Sequence, residues 1–343
     1  MIQLTLEIHQ GFALYIGATH TMPGRRRLGQ RQAALRPGGR AAISRRARVI
    51  IFRTTFPMAP SSPLAQSAEQ DAVVLKRVVV DSDAIAYRES GSGATVVLIH
   101  GMFGDGLDWE PVFAPLAQKH RVIALDLPGF GESAKPRVEY TAEFFATRLH
   151  MFLESLRIEH ATLVGNSFGG ILCMHYALQY PESVAGLVLI GSGGFRLWRK
   201  EDCDAALVRF SEENIRRFTP AYHELLFAQL FVKGRSPFSL RYLAKQDDKL
   251  SRSDFNEYAC AVHSSIKMAL EADLGNDLAR IQAPVLVIHG EKDPIIPLKW
   301  AREAAAKFPH GELREVKDCG HVPQMECVPE VVDAITNFVA RQG

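Results

Sequence analysis

The sequence lacks the features of several protein classes. No stretch approaches the ~18 uninterrupted apolar residues that a membrane-spanning helix requires. The five cysteines are an odd number without a C-x-x-C pair, so we predict neither a disulfide framework nor a zinc knuckle. We therefore expect no integral membrane segment and, because unpaired thiols are typical of reducing compartments, a cytoplasmic protein.

Negative charge is scarce at the start of the chain. Residues 1–70 contain ten arginines, no lysine and only two acidic residues, Glu7 and Glu69, so this stretch carries a charge of +8. Since the whole chain carries +2, residues 71–343 carry −6. An acidic main part is unsuited to the phosphate backbone of nucleic acids. We therefore expect no nucleic-acid partner.

The arginine-rich stretch shows no regular apolar period, and we expect residues 1–72 to form a basic, disordered N-terminal extension. Translation that begins at Met58 is the simplest interpretation of this stretch. A mitochondrial transit peptide, which is also rich in arginine and poor in acids, is an alternative and would place the protein in mitochondria. A basic arm that contacts nucleic acid or lipid would have the same composition.

From residue 73 onward, apolar runs rich in β-branched residues are separated by stretches of helical length. Such runs are typical of a parallel sheet that is buried on both faces. The first two runs lie close together and predict an antiparallel hairpin at one edge. We therefore predict an α/β fold with a mostly parallel, eight-stranded sheet flanked by helices. The predicted strands are Val73–Val80, Ala84–Tyr87, Thr95–His100, Arg121–Asp126, Ala161–Asn166, Gly186–Ile190, Pro284–His289 and Glu312–Val316.

The alternation of strands and helices stops between Phe195 and Arg280, where the apolar spacing is helical throughout. An all-helical insertion before the penultimate strand is most simply a cap over the carboxyl edge of the sheet, where ligands bind in open α/β folds. We therefore predict a core (73–194 and 281–343) and a helical cap (195–280). The predicted cap helices are Asp202–Arg217, Ala221–Phe231, Phe238–Gln246 and Arg252–Glu271.

A G-x-S-x-G motif at 165–169 follows one predicted strand and precedes a predicted helix. A turn from strand to helix within one or two residues has room only for small residues two positions before and after the serine. The turn raises the Ser167 hydroxyl above the sheet at a helix N-terminus, where developing negative charge is favoured. Ser167 is therefore the candidate nucleophile, and a glycine-rich turn without chemistry is the alternative.

A serine nucleophile needs a histidine base and a carboxylate that orients the histidine. His321 lies in a loop after the last predicted strand, bounded by Gly320 and Pro323. Asp293 follows the penultimate strand, and the order serine, aspartate, histidine is the one expected for this topology. Asp126 is the alternative acid, although its D-L-P-G context favours a turn.

The oxyanion that forms during acyl transfer needs two N–H donors. The residue after the nucleophile, Phe168, supplies one donor. The glycine-containing loop at 100–105 can fold back toward Ser167, and we assign the second donor to Met102. We expect His100 to shape this loop and not to act as a base.

At these motifs the chain resembles the α/β-hydrolase superfamily over about residues 75–343. The resemblance implies a nucleophile at Ser167, an acid at Asp293, a base at His321, a helical cap, and neither a metal nor an organic cofactor. Serine at the nucleophile position differs from the dehalogenase and epoxide hydrolase branches, which use aspartate. The matching motifs are H-G at 100–101, D-L-P-G-F-G-E-S at 126–133, G-x-S-x-G at 165–169, G-E-K-D at 290–293 and G-H at 320–321.

Within the superfamily the chain is similar to the capped serine esterases and to the carbon–carbon hydrolases that cleave meta-cleavage products, the diketones formed by aromatic ring fission. Asn166, the run G-S-G-G at 191–194 and the pattern G-H-x-x-Q-x-E at 320–326 resemble the second group. Two features depart from it. The oxyanion loop reads H-G-M-F-G-D, and Val322 stands where that group commonly has tryptophan.

We expect a small, hydrophobic substrate because the predicted cap is rich in apolar residues. A carboxylic ester is our first hypothesis, a ring-fission diketone the second, and a non-catalytic small-molecule receptor the third. Arg196 or Arg199 could bind a substrate carboxylate, although a solvated surface position is the alternative. A homo-oligomer is compatible with the sequence. The candidate substrate-binding residues are Asn166, Phe103, Arg196, Trp198 and Val322.

Overall fold

The computed structural model describes residues 7–8, 14–15, 74–234 and 236–342. Most of the predicted N-terminal extension (1–72), including Met58, therefore lies outside the described residues. The described part of that stretch is a pair of short antiparallel strands, β1 (Glu7–Ile8) and β2 (Leu14–Tyr15).

The main sheet has eight strands in the spatial order β10-β9-β8-β7-β5-β6-β4-β3. The β3–β4 and β4–β6 pairs are antiparallel and all other neighbours are parallel. The prediction of a mostly parallel sheet with an antiparallel hairpin at one edge is confirmed. Its strands are β3 (Leu75–Val80), β4 (Asp83–Ser90), β5 (Thr95–Ile99), β6 (Arg121–Leu125), β7 (Ala161–Asn166), β8 (Val184–Ile190), β9 (Val285–Gly290) and β10 (Gly311–Val316).

Eleven helices accompany the strands within the described ranges, and none of them combines the length and apolar character needed to cross a bilayer. They are α1 (Glu110–Ala117), α2 (Ala142–Ser155), α3 (Phe168–Gln179), α4 (Lys200–Arg209), α5 (Glu212–Ile215), α6 (Pro220–Phe227), α7 (Pro237–Lys249), α8 (Phe255–Glu271), α9 (Leu298–Ala305), α10 (Pro323–Glu326) and α11 (Val328–Ala340).

Helices cover both faces of the sheet, because alternate strand residues point to opposite sides. In β5, Val97 and Ile99 belong to a core cluster that includes α2, α3 and α9. Val96 and Leu98 belong to a second cluster with α1 and α11. Burial on both faces explains why the central strands are continuous apolar runs.

Helices α4 to α8 lie between β8 and β9 in the chain, and we refer to residues 195–280 as the insert. The sequence predicts one helix over Asp202–Arg217, but the structure has two, α4 and α5. The interruption arises at Ser211, whose side chain accepts a hydrogen bond from the Asn214 N–H and so begins a new helix.

Cys319 and Cys327 form a disulfide in the loop that follows β10, whereas Cys173, Cys203 and Cys260 are free. The expectation of unpaired thiols is therefore wrong for this pair. A spacing of eight residues does not reveal that the chain turns back on itself through α10, so the sequence contained no clear signal for it. Because two of the thiols are paired, the cysteines no longer support the expectation of a reducing compartment.

Candidate active site

Ser167 occupies a strained turn between β7 and α3. It is the single residue between the strand and the helix, and its φ of 52° and ψ of −110° lie outside the regions that non-glycine residues commonly adopt. Its backbone N–H donates to the Ile190 carbonyl at the end of the adjacent β8, at a distance of 2.9 Å. The turn therefore lies at the carboxyl edge of the sheet, as the G-x-S-x-G motif predicts.

The two glycines of the motif lie where a side chain would collide with the main chain. A Cβ atom on Gly165 would overlap the backbone of Gly169. A Cβ atom on Gly169 would overlap the Ile99 carbonyl oxygen and lie 2.7 Å from the His100 carbonyl oxygen. The close approach of α3 to β5 therefore requires glycine at these positions.

We expect Gly169→Ala to destabilise the protein by about 1–3 kcal/mol, because its methyl group meets backbone that cannot rotate away. Gly193→Ala is the matched control, since its added methyl group would first meet the terminal methyl group of the Ile171 side chain, at 3.3 Å, and no main-chain atom. We expect the control to remain within about 1 kcal/mol of the wild type. Urea unfolding measures both values, and equal stability of the two variants would contradict the steric explanation.

The structure brings His321 and Asp293 into direct contact. Nδ1 of His321 lies 2.8 Å from Oδ2 of Asp293, and both side chains are almost fully buried. The two residues come from loops that follow neighbouring strands, β10 and β9. A residue pair predicted from chain order alone is thus in hydrogen-bonding distance.

Asp293 is held as an ionised acceptor. Its Oδ1 atom accepts hydrogen bonds from the backbone N–H groups of Ile295 (2.8 Å) and Ile296 (3.0 Å). Burial by itself would raise the pKa of Asp293. The charge that His321 carries when it is protonated, its hydrogen bond and the Ile296 N–H outweigh burial, so the pKa lies below its ordinary value. The carboxylate therefore accepts the Nδ1 proton of His321, which leaves Nε2 as the basic nitrogen.

A second histidine, which the sequence reasoning did not single out, adjoins Asp293. His289 in β9 is fully buried, its Nε2 atom donates to the Ile296 carbonyl at 2.8 Å, and the same atom lies 3.4 Å from Asp293 Oδ2. Burial lowers the pKa of His289, so we expect a neutral ring. Its position four residues before Asp293, at the end of an apolar strand, was the available signal.

The His321 loop is fastened to the nucleophile strand and to the insert. Asn166 donates from Nδ2 to the Ile190 carbonyl (3.0 Å) and to the His321 carbonyl (3.3 Å). The backbone N–H of His321 donates to the Leu230 carbonyl at 3.1 Å. The Asn166 amide nitrogen is therefore engaged with the main chain, and the predicted contact of Asn166 with substrate stays a prediction.

Glu326 in α10 joins the same loop to the insert. Oε1 accepts from the N–H groups of Val232 (2.7 Å) and Lys233 (2.8 Å), and Oε2 accepts from the Gly320 N–H (2.7 Å). The sequence marks Glu326 only through the resemblance of the pattern at 320–326. Two of its partners are more than 90 residues away in the chain, and the third is a backbone N–H group in a loop. The spacing of residues in the sequence could therefore not reveal these contacts.

The loop after β5, at 100–105, lies against the nucleophile turn. A Cβ atom on Gly101 would lie 3.6 Å from the Ser167 Cβ atom. Met102 follows and is half-buried, and the Gly104 N–H donates to the Gly101 carbonyl at 3.1 Å. Phe168 is the first residue of α3, where backbone N–H groups have no partner within the helix. Both predicted oxyanion donors thus belong to segments adjacent to Ser167.

His100 supports this loop as expected from the sequence. Its buried ring donates from Nδ1 to the Gly101 carbonyl (2.8 Å) and accepts at Nε2 from the Leu127 N–H (3.0 Å). Burial lowers the pKa of His100, in agreement with a neutral ring that bridges two loops.

Asp126, the alternative acid, is engaged elsewhere. Its Oδ1 atom accepts from the Gly106 N–H and its Oδ2 atom accepts from the Glu132 N–H, both at 2.7 Å. Arg88 lies 3.5 Å from Oδ1. These contacts fix two turns of the backbone, while His321 is paired with Asp293.

The candidate substrate-binding residues fall into two places. Phe103 directly follows Met102, and Val322 directly follows His321. Both side chains are buried in the same core cluster. Arg196 is exposed with its guanidinium 5.2 Å from the centre of the Trp300 ring, and Trp198 packs edge-on against the same ring at 4.9 Å. The aromatic contact accounts for the position of Arg196 without a substrate.

Comparison with known proteins gives consistent matches. The family model described as alpha/beta hydrolase fold matches residues 94–327. The 2-hydroxymuconate semialdehyde hydrolase of Pseudomonas sp. strain CF600 is 32% identical over 266 residues, which are 74% of this chain and 89% of that protein. The structure of a bacterial membrane phospholipase A is similar with a TM-score of 0.66 and 30% identity, over 78% of this chain and 86% of that one. The structure of a thermophilic esterase from Thermogutta terrifontis is similar with a TM-score of 0.67 and 26% identity, over 78% of this chain and 99% of that one.

Proposed function

Because the chain belongs to the alpha/beta-hydrolase family, we propose that it is a serine hydrolase that cleaves a carboxylic ester through an acyl-enzyme on Ser167. The observation that carries this proposal is the buried contact, at 2.8 Å, between His321 and Asp293. The loop that contains His321 is also hydrogen-bonded to the nucleophile strand through Asn166. A strained serine, a histidine and an oriented carboxylate at one sheet edge are the parts that acyl transfer requires.

The first chemical step forms the acyl-enzyme. Nε2 of His321 takes the hydroxyl proton of Ser167 while Oγ attacks the ester carbonyl carbon, and Asp293 stabilises the imidazolium that results. Nε2 then gives this proton to the leaving alcohol as the carbon–oxygen bond breaks. The ionised state of Asp293 supports this assignment, because it keeps the proton of the neutral ring on Nδ1.

The second step releases the acid. Water loses a proton to His321 Nε2 as it attacks the acyl carbonyl, and the proton returns to Ser167 Oγ when the acyl bond breaks. In both steps the N–H groups of Met102 and Phe168 donate to the carbonyl oxygen as it becomes negative. The helix dipole of α3, which begins directly after Ser167, adds to this stabilisation.

We propose that the insert acts as the cap and that the substrate carries a hydrophobic acyl or aromatic group. Aromatic side chains of the insert meet the oxyanion loop at Phe103, whose ring centre lies 5.6 Å from that of Phe210 and 5.4 Å from that of Phe227. This apolar environment between the insert and the oxyanion loop favours an apolar substrate group. The similar proteins described as an esterase and as a phospholipase agree with an ester substrate.

Carbon–carbon bond hydrolysis is the second candidate. It is favoured by the 32% identity to a protein named 2-hydroxymuconate semialdehyde hydrolase and by the pattern G-H-x-x-Q-x-E at 320–326. The same three catalytic residues would serve this reaction, so the catalytic geometry does not separate the two candidates. Val322 in place of tryptophan and the H-G-M-F-G-D loop favour the ester.

The test is hydrolysis of p-nitrophenyl acetate, butyrate, octanoate and palmitate by the full chain, alongside a ring-fission diketone whose yellow colour is lost on cleavage. We expect ester turnover with an optimum at one chain length, because the insert, as the proposed cap, would limit the length of the acyl chain that fits. Turnover of the diketone at a kcat/KM at least tenfold above the best ester would favour the second candidate. No turnover of either class by the folded protein would overturn the proposal in favour of a binding role.

A further inference from the structure

Helix α7 of the insert directs two lysines at the oxyanion loop, of which Lys249 is buried and Lys245 is half-buried. Lys245 and Lys249 are one helical turn apart, so both side chains extend from the same face of the helix. Lys245 Nζ lies 2.8 Å from Oδ1 of Asp105 and also bonds to Asp108, while Lys249 Nζ lies 3.2 Å from Oδ2 of Asp105. Buried charges of this kind are retained only when they are paired.

Lys249 makes one further contact, to the backbone. Its Nζ atom donates to the Phe103 carbonyl at 2.5 Å, and the hydroxyl of Tyr258 in α8 donates to the same carbonyl at 3.2 Å. Lys249 and Tyr258 also contact each other, because the Lys249 ammonium group lies over the Tyr258 ring at 5.6 Å from its centre. Two donors from two helices of the insert therefore converge on one carbonyl of the loop that carries Met102.

The backbone at Phe103 has an unfavourable conformation. Its φ of 64° lies in the left-handed region that disfavours residues with a side chain. The Gly104 N–H closes the turn onto the Gly101 carbonyl at 3.1 Å, and aromatic side chains of the insert surround the Phe103 ring. Strain of this kind persists where surrounding contacts outweigh it, and it is common at functional sites.

We propose that Lys249 and Tyr258 are positioning residues that hold the Phe103 carbonyl and thereby keep the Met102 N–H directed at the substrate oxygen. This inference rests on the proposed serine-hydrolase function. The oxyanion donor would then be in place only while helices α7 and α8 are docked on the loop, so the insert would complete the catalytic site as well as cover it.

The two lysines differ in their charge. Burial by itself would lower the pKa of Lys245, but Asp108 and Asp105 raise it above its ordinary value, whereas burial lowers the pKa of Lys249, whose part is to donate to the Phe103 carbonyl. Asp105 begins the short helical turn at 106–109 by accepting the Leu107 N–H at 3.0 Å. Burial by itself would raise the pKa of Asp105, but the charges of Lys245 and Lys249 hold it well below its ordinary value. The ionised carboxylate thus anchors the second half of the loop, while the Phe103 carbonyl anchors the first half.

The test compares Tyr258→Phe and Lys249→Met with the wild type on the best p-nitrophenyl ester. We expect kcat to fall about tenfold for Tyr258→Phe and about 100-fold for Lys249→Met. A displacement of about 1 Å in a group near the reacting atoms can lower the rate by about 100-fold. We expect KM to change less than about threefold, since oxyanion contacts strengthen mainly in the transition state. Affinity for phenylboronic acid, which forms a tetrahedral adduct on serine, should weaken by the same factor as kcat.

Two control variants separate positioning from general damage. Tyr222→Phe removes a hydroxyl from another insert helix, where it accepts from Arg209 Nε at 2.8 Å, and it should keep kcat within twofold. Lys245→Met breaks the contacts with Asp105 and Asp108 but removes no contact to the Phe103 carbonyl, so its kcat should fall less than that of Lys249→Met. Titration of Ser167 with a fluorophosphonate expresses each kcat per competent site. If Lys249→Met does not fold, the isosteric Tyr258→Phe still provides the test.

A fall in kcat per competent site, with nearly constant KM and weaker boronate binding, would support the inference. If Tyr258→Phe and Lys249→Met keep kcat per site within twofold of the wild type, the inference is wrong while the hydrolase function stands. If both variants lose activity only in proportion to lost sites, their role is structural and the inference is again wrong. If the wild type itself has no Ser167-dependent turnover, the proposed function and the inference fail together.

Discussion

Ser167→Ala should abolish ester turnover, with a fall in kcat of about 10⁶-fold, the scale seen when a triad serine is removed from another serine hydrolase. The reason is that alanine has no hydroxyl group to form the acyl bond. The substitution removes one oxygen from a half-buried side chain, so the fold should remain intact. Steady-state assays with p-nitrophenyl butyrate measure the change.

Ser155→Ala is the control for this variant. Ser155 is exposed near the end of α2, where its hydroxyl donates to the Met151 carbonyl at 2.7 Å, and its removal should leave kcat within twofold of the wild type. If Ser167→Ala kept more than one hundredth of the wild-type activity, a mechanism without an acyl-enzyme on Ser167 would have to replace the one proposed.

Asp293→Asn should lower kcat by about 10⁴-fold, the magnitude known for the equivalent change in the best-studied triad. The asparagine amide donates a hydrogen bond where the carboxylate accepted one, so His321 would place its proton on Nε2 and could no longer act as a base. It also removes the charge that stabilises the imidazolium. The kcat on the same ester, determined from pH 6 to 9, measures the loss.

Asp318→Asn is the matched control for this change. Asp318 lies three residues before His321 but is exposed and paired with Lys292 at 2.6 Å, so its loss should leave kcat within twofold. If Asp293→Asn retained near-full activity, Asp126→Asn would be the next variant to examine.

The same carboxylate predicts a dependence of stability on pH. The folded-state pKa of Asp293 lies below its ordinary value, so its contribution to the free energy of unfolding is full above the unfolded-state pKa of about 3.9. That contribution shrinks as the pH falls toward the lower folded-state pKa. The stability difference between the wild type and Asp293→Asn should therefore narrow below about pH 4.

The strands, the nucleophile turn and the order of the candidate triad residues could be predicted because they depend on local chemistry. A strand that is buried on both faces is a continuous apolar run, as β7 shows. Glycine is required at 165 and 169 because any side chain there would collide with the main chain, at the turn itself or at the neighbouring β5. The contact between Asp293 and His321 follows from two loops at neighbouring strand ends.

The supporting contacts could not be predicted, since they depend on how the insert packs on the core. Lys249 reaches the Phe103 carbonyl across 146 residues of chain, and Glu326 reaches Val232 across 94. A lysine on an amphipathic helix is ordinarily solvated, so nothing local marks Lys249 as buried. The disulfide between Cys319 and Cys327 likewise depends on a chain reversal that the sequence does not reveal.

Covalent labelling tests whether Ser167 is the nucleophile. The full chain is incubated with a fluorophosphonate and digested, and the modified residue is located by mass spectrometry. We expect one adduct per chain on Ser167, and ester hydrolysis should fall in proportion to the fraction of chains labelled. Protein that hydrolyses esters without forming this adduct, or that loses activity through an adduct on another residue, would contradict this expectation.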